Sequence, residues 1–289
     1  MTRRPWRRPL LVALTVALGL GVAGYRVVSD VATDSAASTR SAAAGEPDLR
    51  PLDSDCSGGY VVLSFDDGPR QHSAELLDRL DALGLRAVFF WSGHNIEGRG
   101  ELVRRAVAEG HVLGNHTQSH VDLTTGELPS GDRVVPWGPE QIREELRRTN
   151  ELLVAKGAPV PELYRPPYGA VNRQVDDVAQ TLGLQLVMSF GHDASDNLVD
   201  SHDTEGISVE EIAANVVGPM RDGSIITMHD GLGQATLNSI EALQPIVDAM
   251  DERRLCTTTE VRPDATGRVL EFAAPAQVPS SAPNASANG

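Results

Sequence analysis

Long hydrophobic runs, internal repeats and basic surface segments are missing from this chain, and cysteine is scarce. The 289 residues carry a formal net charge of -15, and no basic stripe follows the N-terminal segment. A nucleic-acid partner is therefore not expected. The longest apolar run, residues 10–25, is shorter than the roughly 20 residues of a membrane-spanning helix. What remains is an acidic chain long enough for one large domain or two small ones.

The N-terminus is the exception to the acidic composition. Four arginines, Arg3, Arg4, Arg7 and Arg8, lie at the start of the chain, and an apolar run follows them. Near the end of this run lies a candidate small-x-small cleavage site, Gly21-Val22-Ala23. This order is typical of an export signal. We expect residues 1–28 to be a signal peptide or a signal-anchor, so that membrane anchoring stays open. The remaining chain is then extracytoplasmic, secreted or held at the outer face of the membrane.

Composition predicts one folded unit between two disordered segments. Residues 29–55 are an Ala/Ser-rich linker and residues 263–289 a similar tail, both without an apolar period. The folded domain is therefore expected at 56–262, with Cys56 and Cys256 near its two ends. In an exported protein two such cysteines are more often bridged than free, which favours a disulfide between them.

Strand-like and helix-like stretches alternate throughout the folded unit. We predict strands over 60–65, 87–91, 111–114, 184–190, 224–228 and 257–261. Helices are predicted over 73–83, 101–109, 139–155, 175–181, 209–217 and 240–250. This alternation indicates an α/β fold with a parallel sheet, either open or closed into a barrel. In a barrel the functional residues lie at the C-terminal ends of the strands.

Two adjacent carboxylates, Asp66 and Asp67, follow the first predicted strand and precede the turn signal Gly68-Pro69. One interpretation is a solvated turn, because Asp-Gly-Pro is common in turns. The other is a paired chemical task at a strand end, where the backbone bends. His116 and His120 strengthen the second interpretation. A helical turn would place both imidazoles on one face, and two His with one carboxylate bind divalent ions.

Three later strand ends carry further polar residues, and the first of these strands is a short one predicted at Tyr164. Arg165 precedes two prolines, and a rigid guanidinium there can keep a carboxylate ionised, although a surface arginine before a turn is the plainer alternative. Residues 189–197 end another strand and include Asp193 and Asp196. His229 follows the strand 224–228; a single histidine there is often structural, but beside an Asp it becomes a tuned acid–base group.

Taken in order, these five stretches resemble the polysaccharide deacetylases of the NodB-homology type, carbohydrate esterase family four. The resemblance covers about residues 58–261. It implies a distorted (β/α) barrel and metal-dependent removal of acetyl groups from carbohydrate, with an acetylated polysaccharide as the partner.

The resemblance also implies a role for each matching residue at the metal site. Asp66 resembles the general base, and Asp67 resembles the carboxylate ligand of the ion. His116 and His120 resemble the other two ligands. The expected ion is Zn²⁺, with Co²⁺, Mn²⁺ or Ni²⁺ as alternatives.

The remaining roles concern the base, the oxyanion and the leaving group. Arg165 resembles the arginine that holds the base, and the Tyr168 backbone N–H is expected to face the oxyanion. His229 resembles the general acid, and Asp196 the carboxylate that orients it.

Two positions depart from the family pattern. Asn197 stands where the family usually has Trp, and Thr227 where it usually has Leu. Both changes remove apolar surface from the expected acetyl pocket and leave Asp193 as an alternative to Asp196.

The leading hypothesis is an N-deacetylase of peptidoglycan- or chitin-like polymers. One rival is an O-acetyl esterase, for example on xylan. The other is a catalytically silent carbohydrate-binding domain, suggested only by Asn197 and Thr227.

Overall fold

A computed structural model of the chain describes residues 55–189, 197–263 and 270–271. The predicted leader 1–28, nearly all of the predicted linker and most of the predicted tail lie outside these residues. Within the described ranges, no helix is long and apolar enough to cross a membrane.

Eight strands form one sheet in which every pairing is parallel. Their bounds are β1 (Gly59–Asp66), β2 (Ala87–Trp91), β3 (Val112–Asn115), β4 (Leu163–Tyr164), β5 (Gln185–Leu186), β6 (Leu198–Asp200), β7 (Ile225–His229) and β8 (Leu255–Thr257). The spatial order is β5-β4-β3-β2-β1-β7-β6, and β8 pairs with the beginning of β1. This order places β1 at the centre of the sheet.

Seven α-helices lie within the described ranges. They are α1 (Ser73–Ala82), α2 (Gly93–Ile96), α3 (Gly100–Ala108), α4 (Pro139–Ala155), α5 (Arg173–Thr181), α6 (Val209–Val217) and α7 (Gln234–Glu252). Local sequence defines several helix starts: Ser208 and Glu211 form a capping box before α6, and Asn172 caps α5. The largest apolar cluster joins Leu63 and Phe89 of the strands to helix residues such as Leu243.

The sheet curls, and side chains from distant strands meet on its inner face. Arg165, just after β4, donates to the Ser64 hydroxyl of β1 at 2.9 Å. Thr227 of β7 donates to the carbonyl of Ser189 at 3.2 Å. The inner face is apolar at its base, where Val62 is the register partner of Ile225, and becomes polar and then charged towards the C-terminal strand ends. The expected α/β fold with a barrel-like curved sheet is confirmed.

Most predicted elements are present, with shifted ends. The strand predicted at 184–190 covers only Gln185–Leu186 in the described residues, and the closing strand is Leu255–Thr257 instead of 257–261. Within the predicted tail, Leu270–Glu271 pairs antiparallel with Arg262–Pro263. The expected disulfide joins Cys56 and Cys256 across 200 residues of sequence, with Cα atoms 5.4 Å apart.

Candidate active site

The C-terminal end of β1 supplies the two adjacent carboxylates. Asp66 still belongs to the strand and is the register partner of His229 on β7. Asp67 has a φ of 76°, in the left-handed region that Asp tolerates better than most residues. This bend aims the Asp67 side chain away from that of Asp66. Gly231 makes room for it, because a Cβ at Gly231 would lie 2.5 Å from the Asp67 Cβ.

Asp67, His116 and His120 come together as the sequence predicts. The Nε2 atoms of His116 and His120 lie 3.2 Å and 2.8 Å from Asp67 Oδ1, and the three candidate ligand atoms are all within 4.8 Å of one another. Burial raises the pKa of Asp67, but its hydrogen bonds with the two histidines outweigh burial and hold the pKa well below the usual range. One carboxylate and two imidazoles suit a divalent transition-metal ion.

The helical turn predicted between the two histidines is wrong. Residues after β3 form a loop in which Thr117 and His120 have φ values of 63° and 56°. Asn115 shapes this loop, because its side-chain oxygen accepts the Thr117 N–H at 2.8 Å. Glu145 of α4 then accepts both the N–H and the hydroxyl of Ser119 at 2.9 Å. The loop brings the imidazoles together by these side-chain contacts instead of by helical spacing.

Each histidine of the triad has a partner at its second ring nitrogen. His116 Nδ1 donates to the carbonyl of Arg165 at 2.7 Å, which leaves Nε2 as the ligand atom. His120 Nδ1 lies 3.1 Å from the hydroxyl of Tyr168, and the two rings meet edge to face. These contacts orient both imidazoles towards Asp67, so the donor set fits a metal ion.

Arg165 is fully buried and pairs with Asp66. Its Nη1 lies 2.7 Å from Asp66 Oδ1, and the carbonyls of Val187 and Met188 accept from Nε and Nη2. The guanidinium lies over the Phe90 ring, 4.3 Å from its centroid. The surface-arginine alternative is therefore excluded.

His229 has a carboxylate partner that the sequence motifs did not reveal. Asp203, in the short 3-10 turn Asp203–Glu205, places Oδ1 2.7 Å from His229 Nδ1. Burial lowers the pKa of His229, but the hydrogen bond and charge of Asp203 outweigh it and raise that pKa to about 9. The predicted partner Asp196 and its alternative Asp193 lie outside the described residues. No sequence motif marks Asp203, and only its contact with His229 in the structure identifies it.

The Tyr168 main chain turns back at the mouth of the site. Tyr168 has a φ of 60° and ψ of 10°, and its side chain is 56% exposed. In the part of the chain that the structure describes, its N–H has no hydrogen-bond acceptor. This backbone donor is thus free among the described residues, and its role at the oxyanion stays a prediction.

Comparisons with known proteins agree with this geometry. The family profile described as polysaccharide deacetylase matches residues 53–187. The chain is 31% identical over 204 residues to a chitooligosaccharide deacetylase of Rhizobium leguminosarum bv. trifolii, covering 67% of this chain and 86% of that protein. The chain belongs to the polysaccharide deacetylase family. The resemblance drawn from the five motifs is therefore confirmed.

Relatives in this family have names that indicate different substrates. A bifunctional xylanase/xylan deacetylase of Cellvibrio japonicus is 34% identical over 204 residues, which cover 70% of this chain but only 27% of that protein. A solved family 4 carbohydrate esterase from Streptomyces lividans, in complex with acetate, has a TM-score of 0.61 and 31% identity. That match covers 73% of this chain and 96% of the esterase.

The two departures from the polysaccharide deacetylase pattern have different structural outcomes. Thr227 is buried, and its hydroxyl is satisfied by the Ser189 carbonyl, so the polar replacement joins two sides of the curled sheet. Asn197 is half-buried, and its backbone carbonyl accepts the Ile225 N–H at 2.8 Å. Nothing described explains its side chain.

Proposed function

We propose that the protein is a metal-dependent hydrolase that removes acetyl groups from N-acetylated polysaccharide of the peptidoglycan or chitin type. The observation that carries this proposal is the position of the Asp67–His116–His120 triad directly beside a second, separately held carboxylate, Asp66. A binding domain has no need for both. A hydrolase needs one group to bind the ion and another to move protons.

The triad would hold Zn²⁺, with Co²⁺, Mn²⁺ or Ni²⁺ as alternatives. Two imidazole nitrogens and one carboxylate oxygen, each oriented by further contacts, leave positions free for water and substrate. A bound divalent ion supplies Lewis acidity, which polarises the acetyl carbonyl and lowers the pKa of water.

Asp66 is the proposed general base. It is buried, and the Arg165 guanidinium lies 2.7 Å from its Oδ1 and holds the carboxylate in place. A water attacking the acetyl carbon gives its proton to Asp66. Asp66 is not one of the three candidate metal-ligand residues, so its carboxylate stays available to accept this proton.

The Tyr168 N–H and His229 act on the other side of the reaction. The free Tyr168 N–H donates to the oxyanion, an effect typically worth a few kcal/mol. His229, charged at neutral pH because of Asp203, protonates the leaving amine as the C–N bond breaks. Asp203 thus takes the orienting role at His229 Nδ1 in this proposal, and a role for Asp196 stays a prediction.

The proposal includes an extracytoplasmic location, secreted or at the outer face of the membrane. The Cys56–Cys256 disulfide supports it, since disulfides persist in oxidising compartments. The arginine-rich start followed by an apolar run supports it as well.

An O-acetyl esterase is the second candidate, and it is favoured by the likeness to a protein named xylanase/xylan deacetylase. An ester needs less help from His229, because an alkoxide leaves more readily than an amide nitrogen. The site geometry alone accommodates both reactions.

The test is acetate release from N-acetylglucosamine oligomers and from acetylated xylan, measured side by side with Zn²⁺-loaded protein. Release from the oligomers is the expected result. Release from xylan alone would favour the esterase. No release from either substrate, together with tight glycan binding, would favour the silent binding domain.

A further inference from the structure

A second pocket lies beside the triad, and no step of the proposed reaction uses it. Its cavity of about 370 Å³ is lined by basic and polar residues, among them Arg70, Arg99, Asn95 and Thr236. Arg70 follows the turn that begins at Asp67, and Arg99 directly precedes α3. Two arginines in one cavity are a local reversal of charge in a chain with a net charge of -15.

Asn95 holds both arginines in place. Its side-chain oxygen accepts Arg70 Nε at 3.2 Å, and its carbonyl accepts Arg99 Nη1 at 2.9 Å. Arg70 Nη1 also donates to the carbonyl of Gly231 at 3.0 Å. Among the described residues, neither arginine forms an ion pair with a carboxylate, and neither Nη2 group has a hydrogen-bond acceptor. A fixed guanidinium with free N–H groups matches the geometry of a carboxylate.

Other titratable groups line the same cavity, but among the described residues none of them lies within ion-pair distance of either arginine. The oxygens of Asp230 accept hydrogen bonds from Ser73 Oγ at 2.7 Å and Trp91 Nε1 at 3.0 Å. Burial raises the pKa of Asp230 to about 7, so it carries only part of a negative charge at neutral pH. His72 is engaged by Glu75, whose carboxylate lies 2.6 Å from Nδ1.

This pocket shares a wall with the metal triad. Asn95 Nδ2 donates to the backbone carbonyl of Asp67 at 2.7 Å, and Gly231, which accepts from Arg70, packs against the Asp67 side chain. The pocket and the triad are therefore adjacent through Asn95 and Gly231.

We propose that the Arg70–Arg99 pocket binds a carboxylate carried by the substrate glycan close to the acetylated sugar. This inference rests on the proposed function and narrows its substrate class to acidic acetylated glycans. A guanidinium and a carboxylate form charge-assisted hydrogen bonds that are stronger than neutral ones. A free carboxylate such as acetate offers the same chemistry, and the experiment separates the two sources.

The experiment compares two tetrasaccharides by calorimetry on chelator-treated protein, which blocks turnover. One alternates N-acetylglucosamine with N-acetylmuramic acid bearing free lactyl carboxylates, and the other is the neutral N-acetylglucosamine tetramer. We expect the acidic tetramer to bind about tenfold more tightly, the typical effect of one charge-assisted hydrogen bond. Acetate at equal concentration should not displace it.

Three variants locate the effect. Arg99→Gln and Arg70→Gln should each abolish the preference for the acidic tetramer, and Arg99→Gln does so without touching the Asp67 wall. The control Arg147→Gln removes an arginine on the exposed face of α4, where it pairs with Glu144, and should keep the preference.

Equal binding of the two tetramers, or a preference that survives in both pocket variants, would overturn the inference. Displacement of the acidic tetramer by equimolar acetate would also overturn it, because the pocket would then hold free carboxylates. The proposed function fails separately. If metal-loaded protein releases no acetate from either tetramer while the binding preference persists, the carboxylate-binding role of the pocket is supported and the proposed deacetylase function is contradicted.

Discussion

The carboxylate of Asp203 contacts His229 at two points. One oxygen lies 2.7 Å from the ring Nδ1, and the other accepts the His229 backbone N–H at 2.8 Å. The Ser239 hydroxyl donates to the second oxygen as well. Because Asp203 is buried and satisfied in this way, it fixes the imidazole and keeps it charged at neutral pH.

Asp203→Asn should remove the charge that raises the His229 pKa. The pKa then falls from about 9 towards the ordinary 6.5, so the protonated acid is lost at lower pH. We expect the alkaline limb of the pH–rate profile for amide hydrolysis to shift to lower pH. The protonated fraction of His229 at pH 8, and with it the rate, should fall about 30-fold. Asp248→Asn, an exposed change on α7, is the control. An unshifted profile would show that Asp203 does not tune the acid.

Arg165→Met should destabilise the fold strongly. The change leaves Asp66 buried without its partner and removes the donors to two backbone carbonyls. Breaking a buried pair in this way should lower the free energy of unfolding by about 3–5 kcal/mol, and urea unfolding would measure the loss. The double variant Asp66→Asn/Arg165→Met should recover part of that loss. A single variant as stable as the parent would mean that the pair contributes little.

Tyr168→Phe should weaken Zn²⁺ binding about tenfold, the usual scale for losing a partner of a ligating histidine. The reason is the 3.1 Å contact between the Tyr168 hydroxyl and His120 Nδ1. Calorimetric titration of Zn²⁺ into the chelator-treated protein measures it. Tyr60→Phe, at the opposite end of β1, should bind the ion like the parent. Equal affinity in Tyr168→Phe would exclude an orienting role for the hydroxyl.

His111 should make the fold sensitive to acid. Burial and the charges of Arg86 and Arg105 lower its folded pKa to about 4, whereas the unfolded value is about 6.5. The neutral ring accepts the Ala87 N–H at 3.1 Å, so its contribution is complete above pH 6.5 and is lost as pH falls towards 4. Unfolding free energy should drop by about 3 kcal/mol over this window. His111→Gln should show a shallower decline, and an equally steep one would assign the effect to other groups.

Sequence patterns located the polar residues at the ends of β1 and β7. The runs before Asp66 and His229 predict strands whose ends adjoin in a parallel sheet, and the structure pairs these residues in register. Elements with strong periodicity, such as α4, were predicted to the residue. Their formation depends on local apolar patterns, which sequence displays directly.

Contacts between distant loops were beyond sequence reasoning. His116 and His120 have helical spacing, but the segment that joins them forms a loop. Hydrogen bonds to the side chains of Asn115 and Glu145 stabilise this loop and outweigh the weak local helix propensity. Asp203 sits 26 residues before His229 in a stretch with no motif. Short strands such as β5 were overestimated, since apolar composition continues past the point where pairing ends.

The most direct test of the account is metal-dependent acetate release from N-acetylglucosamine oligomers, with parent and Asp67→Asn proteins each stripped by chelator and reloaded with Zn²⁺. Stripping should abolish release, and Zn²⁺ should restore it in the parent but not in Asp67→Asn, which should also bind the ion far more weakly. Release that persists in the stripped protein, or that Zn²⁺ restores equally in both, would contradict a catalytic ion held by Asp67, His116 and His120.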